Sequence, residues 1–239
     1  MVIKSNSSII VAESIGAQNI TAYAKRDQQR PKRDAFVGML PPKLAQIMLN
    51  LAAPTTSRQL TILDPFCGTG TVLQEALLRG FDVVGSDLSD KMIDYTQQNL
   101  TWLASTHHAD GSVIDIRQAD ATNHTWNSAK TISAVACETY LGQPFSAPPS
   151  PPKLKEVVGN CNHIISQFLT NIHPQLSPNT PLCLAVPAWL STDGSLTHLP
   201  LIRKLSHLGY ELTRPPLVYA RPDQVVAREL LVLRRTPIA

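Results

Sequence analysis

Apolar residues recur along the chain with two different periods, and these periods predict strands and helices in alternation. Short apolar runs between turn residues indicate strands, and apolar residues three and four positions apart indicate amphipathic helices. The predicted strands are 8–15, 59–64, 81–87, 113–120, 131–138, 181–189 and two within 217–235 that meet at Pro222-Asp223. The predicted helices are 40–52, 71–80, 91–103, 153–172 and 197–210.

This alternation predicts a doubly wound α/β fold, because each helix returns the chain to begin the next parallel strand. The last two strands follow each other without a helix, so we expect an antiparallel hairpin at one edge of the sheet. Residues 23–36, which precede the first predicted helix, carry five basic and two acidic side chains. A charge run of this kind is typical of a solvated loop.

The size of the chain suits one sizeable domain, since it has 239 residues of which 43% are hydrophobic. We divide it into an N-terminal extension, residues 1–54, which holds the basic segment and a lead-in helix, and a main domain, residues 55–239. Charged residues make up 16% and the net charge is +3. This mildly basic balance is by itself weak evidence for a nucleic-acid partner.

The cysteines indicate a reducing compartment and no metal. Cys67, Cys137, Cys161 and Cys183 form no CxxC pair and have no histidine at ligand spacing, so we expect neither a zinc site nor a disulfide. The N-terminus has no long apolar segment of a signal peptide, and no apolar run approaches about 18 residues. We therefore expect a cytoplasmic protein that does not span a membrane.

Acidic residues follow three successive predicted strands, beside a glycine-rich turn. The segment LDPFCGTGT joins a strand to a helix, and Gly68 and Gly70 allow the backbone to bend tightly and approach a ligand. Asp87 ends the next strand, where it can accept hydrogen bonds from two ribose hydroxyls, and Asp120 ends the third, where it can meet an adenine edge. A lone GxG is weak evidence, but the combination predicts a nucleoside-type cofactor.

A dinucleotide cofactor fits this turn less well than S-adenosylmethionine. The third glycine of GxGxxG is replaced by Leu73, and Asp64 before the turn would be unusual beside a pyrophosphate. A carboxylate suits the cationic end of S-adenosylmethionine. The residues therefore favour a methyl donor.

The segment LDPFCGTGTVLQEALLRGFDVVGSDLSDKMIDYTQQNL resembles the core of class I S-adenosylmethionine-dependent methyltransferases. More narrowly, the chain is similar to the RNA-modifying enzymes that methylate N2 of guanosine in tRNA, including the position-10 group. The segment YAKRDQQRPKRDAFVGMLPPKLAQIMLNLA resembles the lead-in to the first core strand, and DQVVARELLVL resembles the closing strand. The similarity covers about residues 20–235 and implies a Rossmann-like, mostly parallel seven-stranded sheet.

The resemblance implies a role for each residue of the cofactor motif. The methionine part of the donor would contact Asp64, Phe66, Cys67, Gly68, Thr69 and Gly70, with Thr71 completing the turn. Asp87 would hold the ribose, Leu88 would lie against the adenine, and Asp120 and Ala121 would meet the adenine amino edge.

The fourth strand of such amino-methyltransferases usually ends in Asp/Asn-Pro-Pro-Tyr/Phe, whose side-chain oxygen and backbone carbonyl orient the target amine. Here the equivalent is Cys137-Glu138-Thr139-Tyr140. Glu138 can supply the oxygen, and Tyr140 can stack on a base that is flipped out or single-stranded. The proline pair is absent, and the alignment is ambiguous, since counting back from Tyr140 puts Cys137 in the place of the acid.

The family also carries a THUMP domain, which we do not recognise in this sequence. RNA capture would then fall to the basic segment from Lys25 to Arg33 or to a partner protein. The resemblance thus implies methylation of guanosine N2 in tRNA. Two alternatives stay open: a non-catalytic donor-binding scaffold of an RNA-modifying complex, and an adenine-N6 methyltransferase acting on nucleic acid.

Overall fold

Each predicted strand is present with shifted ends, and three short strands, Val2–Ser5, Leu196–Thr197 and Tyr210–Leu212, were not predicted. The computed structural model describes residues 1–5, 8–34, 39–53, 60–126, 131–191, 193–221 and 224–238. The strands are β1 (Val2–Ser5), β2 (Ser8–Val11), β3 (Thr61–Asp64), β4 (Asp82–Asp87), β5 (Val113–Gln118), β6 (Ala134–Glu138), β7 (Pro181–Leu190), β8 (Leu196–Thr197), β9 (Tyr210–Leu212), β10 (Leu217–Tyr219) and β11 (Val226–Arg235).

Proline and glycine residues explain several of the helix ends. They are α1 (Ile20–Gln28), α2 (Pro42–Ala52), α3 (Thr71–Leu78), α4 (Asp90–Thr106) and α5 (Pro151–Ile172), with 3-10 helices at His173–Gln175 and Pro200–Leu208. Pro42 occupies the first turn of α2, where its missing N–H costs nothing. Gly80 follows α3 and Gly209 follows the second 3-10 helix, both with left-handed backbone. The helix predicted at 197–210 is a 3-10 helix, and it begins three residues later than predicted.

The main sheet has the order β10-β11-β7-β6-β3-β4-β5, with β8 paired to β7 and β9 paired to β11. The five strands β7-β6-β3-β4-β5 are parallel, whereas β11 runs antiparallel to β7 and to β10. This arrangement confirms the doubly wound, mostly parallel sheet with an antiparallel C-terminal hairpin. The predicted turn at Pro222-Asp223 lies outside the described residues.

The core has two parts, one on each face of the sheet. On one face α2 and α3 bury Met48, Leu49 and Leu73 against alternate residues of the central strands. On the other face α5 buries Ile165 and Phe168. Because both faces are covered, the central strands β3, β6 and β7 are buried along nearly their whole length, whereas the edge strand β5 is polar and partly exposed.

The N-terminal region differs from its prediction. The charge run at 23–36 is not simply a solvated loop: its first part lies within α1, and Arg26 and Arg30 are buried. Arg26 makes a salt bridge with Glu75 of α3, with 2.6 Å between Nε and Oε1. Ahead of α1, β1 and β2 form a separate antiparallel hairpin, of which the sequence predicted one strand.

The division between residues 1–54 and 55–239 stays a prediction. Within the described part of the chain, α2 packs on the same sheet as the strands that follow it. None of the described helices is long and apolar enough to cross a membrane.

Candidate active site

A single cavity of about 1060 Å³ runs along the carboxyl ends of β3, β4, β5 and β6. Parallel strands bring their carboxyl ends to one edge of the sheet, so residues distant in sequence meet there. The lining includes almost every residue that the sequence motifs predicted, namely Asp64, Phe66, Cys67, Gly68, Thr69, Thr71, Asp87, Leu88, Asp120, Ala121, Glu138 and Tyr140. Gly70 does not line the cavity.

The glycine-rich turn is built with left-handed backbone at both glycines, φ +52° at Gly68 and φ +83° at Gly70. A Cβ on Gly70 would lie 3.1 Å from the side chain of Thr96, which is tighter than an ordinary contact, and the left-handed backbone there also disfavours a side chain. Thr96 donates a hydrogen bond to the Gly68 carbonyl at 2.8 Å, and Asn99 donates to the Thr69 carbonyl at 2.8 Å. Two buried polar side chains of α4 thus fix the shape of the turn.

Asp64 is a buried carboxyl group beneath the cavity, with 2% of its surface exposed. Its Oδ1 accepts a hydrogen bond from the Phe66 backbone N–H at 3.2 Å. Burial raises the pKa of Asp64 well above its ordinary value, and the nearby charges of Asp87 and Glu138 raise it further. A cationic group in the cavity would lower that pKa and stabilise the carboxylate.

Asp87 is held by backbone groups on both of its oxygens. Oδ2 accepts from the Gly68 N–H and Oδ1 from the Ser89 N–H, each at 2.9 Å. Burial raises the pKa of Asp87, and these two hydrogen bonds lower it. Because each carboxylate oxygen has a second lone pair, Asp87 can still accept hydrogen bonds from a pair of hydroxyls.

Asp120 lies two residues beyond the end of β5, in a turn rather than in the strand. Its Oδ1 accepts from the N–H of Thr122 at 2.9 Å and from the hydroxyl at 2.7 Å, and these bonds lower the pKa of Asp120. Asn171 of α5 donates to the carbonyl of Ala121 at 3.1 Å. The third acid is therefore fixed by its own turn at the cavity edge.

Glu138, the last residue of β6, forms an ion pair with Arg228 of β11. The two side chains are 14% and 6% exposed. Arg228 lies opposite Pro187 and Glu138 opposite Ala185, so the pair spans β7 above two small residues. Burial raises the pKa of Glu138, and Arg228 lowers it. Arg228 is therefore a buried partner of Glu138 and not a surface charge.

Tyr140 stands at the mouth of the cavity with 39% of its surface exposed. The residue between it and Glu138, Thr139, is anchored to β7, since its N–H donates to the Ala185 carbonyl at 3.0 Å. Gly142 has φ +82°, and a Cβ there would lie 3.2 Å from Cys161 and Val157 of α5. This glycine holds the loop close to α5 without the proline pair.

Several cavity residues were missing from the sequence-based set. Asn160, Ile164 and Gln167 of α5 line the wall opposite the turn. Their spacing of four and three residues, which places them on one helix face, was the signal that could have indicated them. Arg228 also had a signal, because Arg228-Glu229 interrupts an otherwise apolar strand.

Comparison with protein-family models assigns the chain to a family. The model of the UPF0020 family, described as an RMKL-like methyltransferase domain, matches residues 30–184. The chain belongs to this family. The match spans the glycine-rich turn, the three acids and the Glu138 loop, and it confirms the resemblance to class I methyltransferases.

Curated relatives of this methyltransferase domain are tRNA (guanine(10)-N2)-dimethyltransferases. The enzyme of Methanothermobacter thermautotrophicus is 29% identical over 180 residues, which are 74% of this chain and 48% of that protein. The enzyme of Pyrococcus abyssi is 32% identical over 109 residues, 46% of this chain and 30% of that protein. The chain thus spans about half or less of the length of these relatives.

Solved structures confirm the fold of the domain. TrmN from Thermus thermophilus has a TM-score of 0.59 at 23% identity, over 89% of this chain and 53% of that one. Magnesium protoporphyrin IX methyltransferase from Synechocystis, with bound SAH, has a TM-score of 0.58 at 16% identity, over 91% and 95%. The second name gives a porphyrin as the substrate, whereas the names of the curated relatives give tRNA, so the fold does not determine the methyl acceptor.

Proposed function

We propose that this domain transfers a methyl group from S-adenosylmethionine to an exocyclic amine of a nucleobase in RNA, guanosine N2 of tRNA. The observation that carries the proposal is the continuity of the cavity, from the three acids to Glu138 and Tyr140. The proposed cofactor subsite and the proposed acceptor subsite thus lie in one cavity.

The residues of the cavity fit S-adenosylmethionine. Asp64 offers a buried carboxylate to a cation, and Asp87 offers lone pairs to ribose hydroxyls. Gly68 has no Cβ, so the turn leaves room for a ligand to approach the backbone. Leu88 is 69% exposed at the cavity wall, where an adenine ring would cover it. When bound, this donor supplies the electrophilic methyl group.

Glu138 and Tyr140 fit an exocyclic amine as the acceptor. Such an amine is a weak nucleophile because its lone pair is delocalised into the ring, and an acceptor oxygen on its N–H localises the lone pair. Oε1 of Glu138 accepts from Arg228, and Oε2 makes no hydrogen bond with the described residues. Oε2 can accept from the amine, while the half-exposed ring of Tyr140 stacks on the base, for about 1–3 kcal/mol.

RNA capture requires more than the basic segment provides. Of its five cations, Arg26 and Arg30 are buried, while Lys25 and Arg33 are exposed. Phosphate contacts supply most of the affinity for RNA, and each needs an accessible cation. We propose that a partner protein or a further domain supplies most of the contacts to RNA.

The test is methylation of bulk tRNA with donor labelled in the methyl group, followed by digestion to nucleosides. We expect label in N2-methylguanosine or N2,N2-dimethylguanosine. Label in N6-methyladenosine instead would support the adenine alternative. No label in tRNA, with normal donor binding by calorimetry, would refute the tRNA substrate.

The variant Glu138→Ala separates catalysis from scaffolding. We expect a loss of turnover of at least about a hundredfold, the effect of removing one preorganised polar contact to the reacting group, with donor affinity unchanged. Asp94→Ala, an exposed acid of α4 away from the cavity lining, is the matched control. Unchanged turnover in Glu138→Ala would favour the scaffold alternative.

A further inference from the structure

A second cavity, of about 440 Å³, lies between α1 and the C-terminal end of α4, apart from the candidate active site. Its volume is within the range of about 300–1,000 Å³ that is usual for small-molecule sites. Trp102 and His107 form an aromatic wall, with ring centroids 5.5 Å apart in an edge-on arrangement, and Lys25 and Gln29 line the same cavity. No described residue that lines it is acidic. The cavity therefore combines aromatic surfaces with a cation.

The polar groups of the second cavity are available to a ligand. Within the described part of the chain, the Lys25 ammonium, the Gln29 amide and the Trp102 indole N–H make no hydrogen bond and no ion pair. Burial lowers the pKa of His107, and the charges of Arg26 and Lys25 lower it further, so the Lys25 ammonium acts close to the imidazole. Proteins bind single-stranded nucleic acid with cations for the phosphates and aromatic rings on which the bases stack.

One face of α4 joins the second cavity to the candidate active site. Lys91, Tyr95 and Trp102 are spaced by four and seven residues, so they lie on the same face of the helix. Lys91 lines the active-site cavity, and Trp102 lies about 16 Å further along the helix axis. An exposed acid of this helix, Asp94, lies about a quarter turn to one side and accepts a hydrogen bond from Gln98.

Two cations lie over the ring of Tyr95, between the two cavities. Nζ of Lys32 and Nζ of Lys91 are each 5.2 Å from the centroid of this ring. Lys91, whose side chain is 59% exposed, also pairs with Asp34 at 2.8 Å, whereas Lys32 has no ion pair within the described residues. Asn99 holds the Lys32 backbone against α4 through hydrogen bonds of 2.9 and 3.0 Å. Cations and aromatic rings thus alternate along this face.

We propose that Lys25, Lys32, Lys91, Tyr95 and Trp102, the α4 RNA surface, bind a single-stranded segment of the substrate RNA beside the target nucleotide. This inference rests on the proposed RNA substrate and states where the strand leaves the active site. The ammonium groups contact phosphates, one base stacks on Trp102 in the second cavity, and another packs on Tyr95. A few phosphate contacts give modest affinity, so this surface orients the strand while other contacts supply most of the binding.

The first experiment measures how the full chain binds a short fluorescent oligouridine, by anisotropy at several salt concentrations. Lys25→Met should reduce the slope of log K against log salt by about 0.7, the value for one phosphate contact with a single strand. Trp102→Leu keeps an apolar side chain but removes the stacking ring. It should lose about tenfold in affinity with the slope unchanged.

The control for the charge is Lys204→Met. Lys204 is exposed on the second 3-10 helix, which packs on the other face of the sheet, so affinity and slope should equal those of the wild type. Tyr95→Leu should lose about fivefold in affinity, and it is the variant to measure if Trp102→Leu does not fold. Calorimetry with S-adenosylmethionine should give the wild-type affinity for each variant, because none of these residues lines the active-site cavity.

Three binding results would overturn the α4 RNA surface. The first is a wild type that does not bind oligouridine at low salt. The second is wild-type affinity in both Trp102→Leu and Tyr95→Leu. The third is a reduction of the slope in Lys204→Met that equals the reduction in Lys25→Met, because the contribution of Lys25 would then be that of any surface cation.

Methylation of bulk tRNA separates this inference from the proposed function. We expect Trp102→Leu to raise the KM for tRNA about tenfold with kcat little changed, since the ring binds RNA away from the reacting atoms. Methylation with an unchanged KM would overturn the α4 RNA surface and leave the proposed function standing. RNA binding that depends on Trp102 and Lys25, without any methylation of tRNA, would refute the proposed function and leave the surface standing.

Discussion

Asp64 and Glu138 are two buried carboxyl groups on neighbouring strands that experience opposite surroundings. Glu138 has Arg228 beside it, whereas Asp64 accepts one backbone hydrogen bond and has Asp87 and Glu138 as charged neighbours. An uncompensated buried carboxylate destabilises a fold. The Asp64 carboxylate therefore lowers the stability of the ligand-free protein, and it suits a cationic ligand.

Asp64→Asn should therefore stabilise the ligand-free protein at pH 8, by about 1–2 kcal/mol or about 2–8 °C in Tm. The raised pKa of Asp64 means that the folded state binds a proton more tightly than the unfolded state. The wild type consequently regains stability as pH falls from the raised pKa towards the ordinary value, and the difference from Asp64→Asn shrinks. Thermal unfolding at several pH values tests this.

The same substitution should weaken binding of S-adenosylmethionine, because the amide carries no charge for the cationic end. Asp94→Asn on the surface of α4 is the control and should change neither quantity. A destabilised Asp64→Asn protein at pH 8 would contradict the view that this carboxylate is uncompensated.

Arg228→Met should shift the acid limb of the pH–rate profile to higher pH. Arg228 lowers the pKa of Glu138 against the effect of burial, so its loss lets that pKa rise. Glu138 must be ionised to accept from the amine through Oε2, and the variant would lose activity at a pH where the wild type is active. Single-turnover methylation between pH 5.5 and 9 measures the shift.

The control for this prediction is Glu138→Gln, which has no carboxyl group to titrate and should show no such limb. If Arg228→Met lowered the rate equally at every pH, Arg228 would have a packing role only.

Helix α1 shows how a charged segment becomes part of the core. Arg26 donates to both carboxylate oxygens of Glu75, at 2.6 and 3.2 Å, and Glu75 is 1% exposed. The ion pair joins α1 to α3, the helix that follows the glycine-rich turn. The charges of α1 are thus divided between a buried contact and an exposed face.

Arg26→Met should destabilise the protein by about 3–5 kcal/mol, since it leaves the Glu75 carboxylate buried without its cation. The double variant Arg26→Met with Glu75→Met should recover most of that loss, because neither charge remains. Lys25→Met, on the exposed side of the same helix, should stay within about 0.5 kcal/mol of the wild type. Urea unfolding measures all three; equal stability of Arg26→Met and the wild type would refute a structural role.

The order of elements and the three acids could be predicted from the sequence, because both depend on local pattern. A run such as 134–137 is apolar whatever its neighbours are, and the carboxyl ends of parallel strands necessarily meet. The partner of Glu138 could not be predicted, since Arg228 is 90 residues away and lies beyond an intervening strand. Burial of Arg26 depends likewise on where α3 packs.

At the scale of the whole molecule, the candidate site draws on nearly the full length of the chain. Asp34 comes from the N-terminal segment, Asp64 and Asp87 from the first half of the sheet, Glu138 from its middle and Arg228 from the C-terminal strand. The antiparallel β11 therefore does more than cover an edge, because it carries the cation that pairs with Glu138. Donor binding and acceptor chemistry both depend on one cooperative sheet.

The four cysteines can report how fast different regions of the protein open. All four thiols are buried, and burial raises their pKa values, to about 12 for Cys161 and Cys183. Only the thiolate reacts with a disulfide reagent, so labelling must wait for the surrounding structure to open. Cys67 is buried within the glycine-rich turn, Cys161 lies under the Tyr140 loop and Cys183 lies within the sheet. Measuring the labelling rate of each cysteine in the wild-type protein would therefore give the opening rate of the region around it.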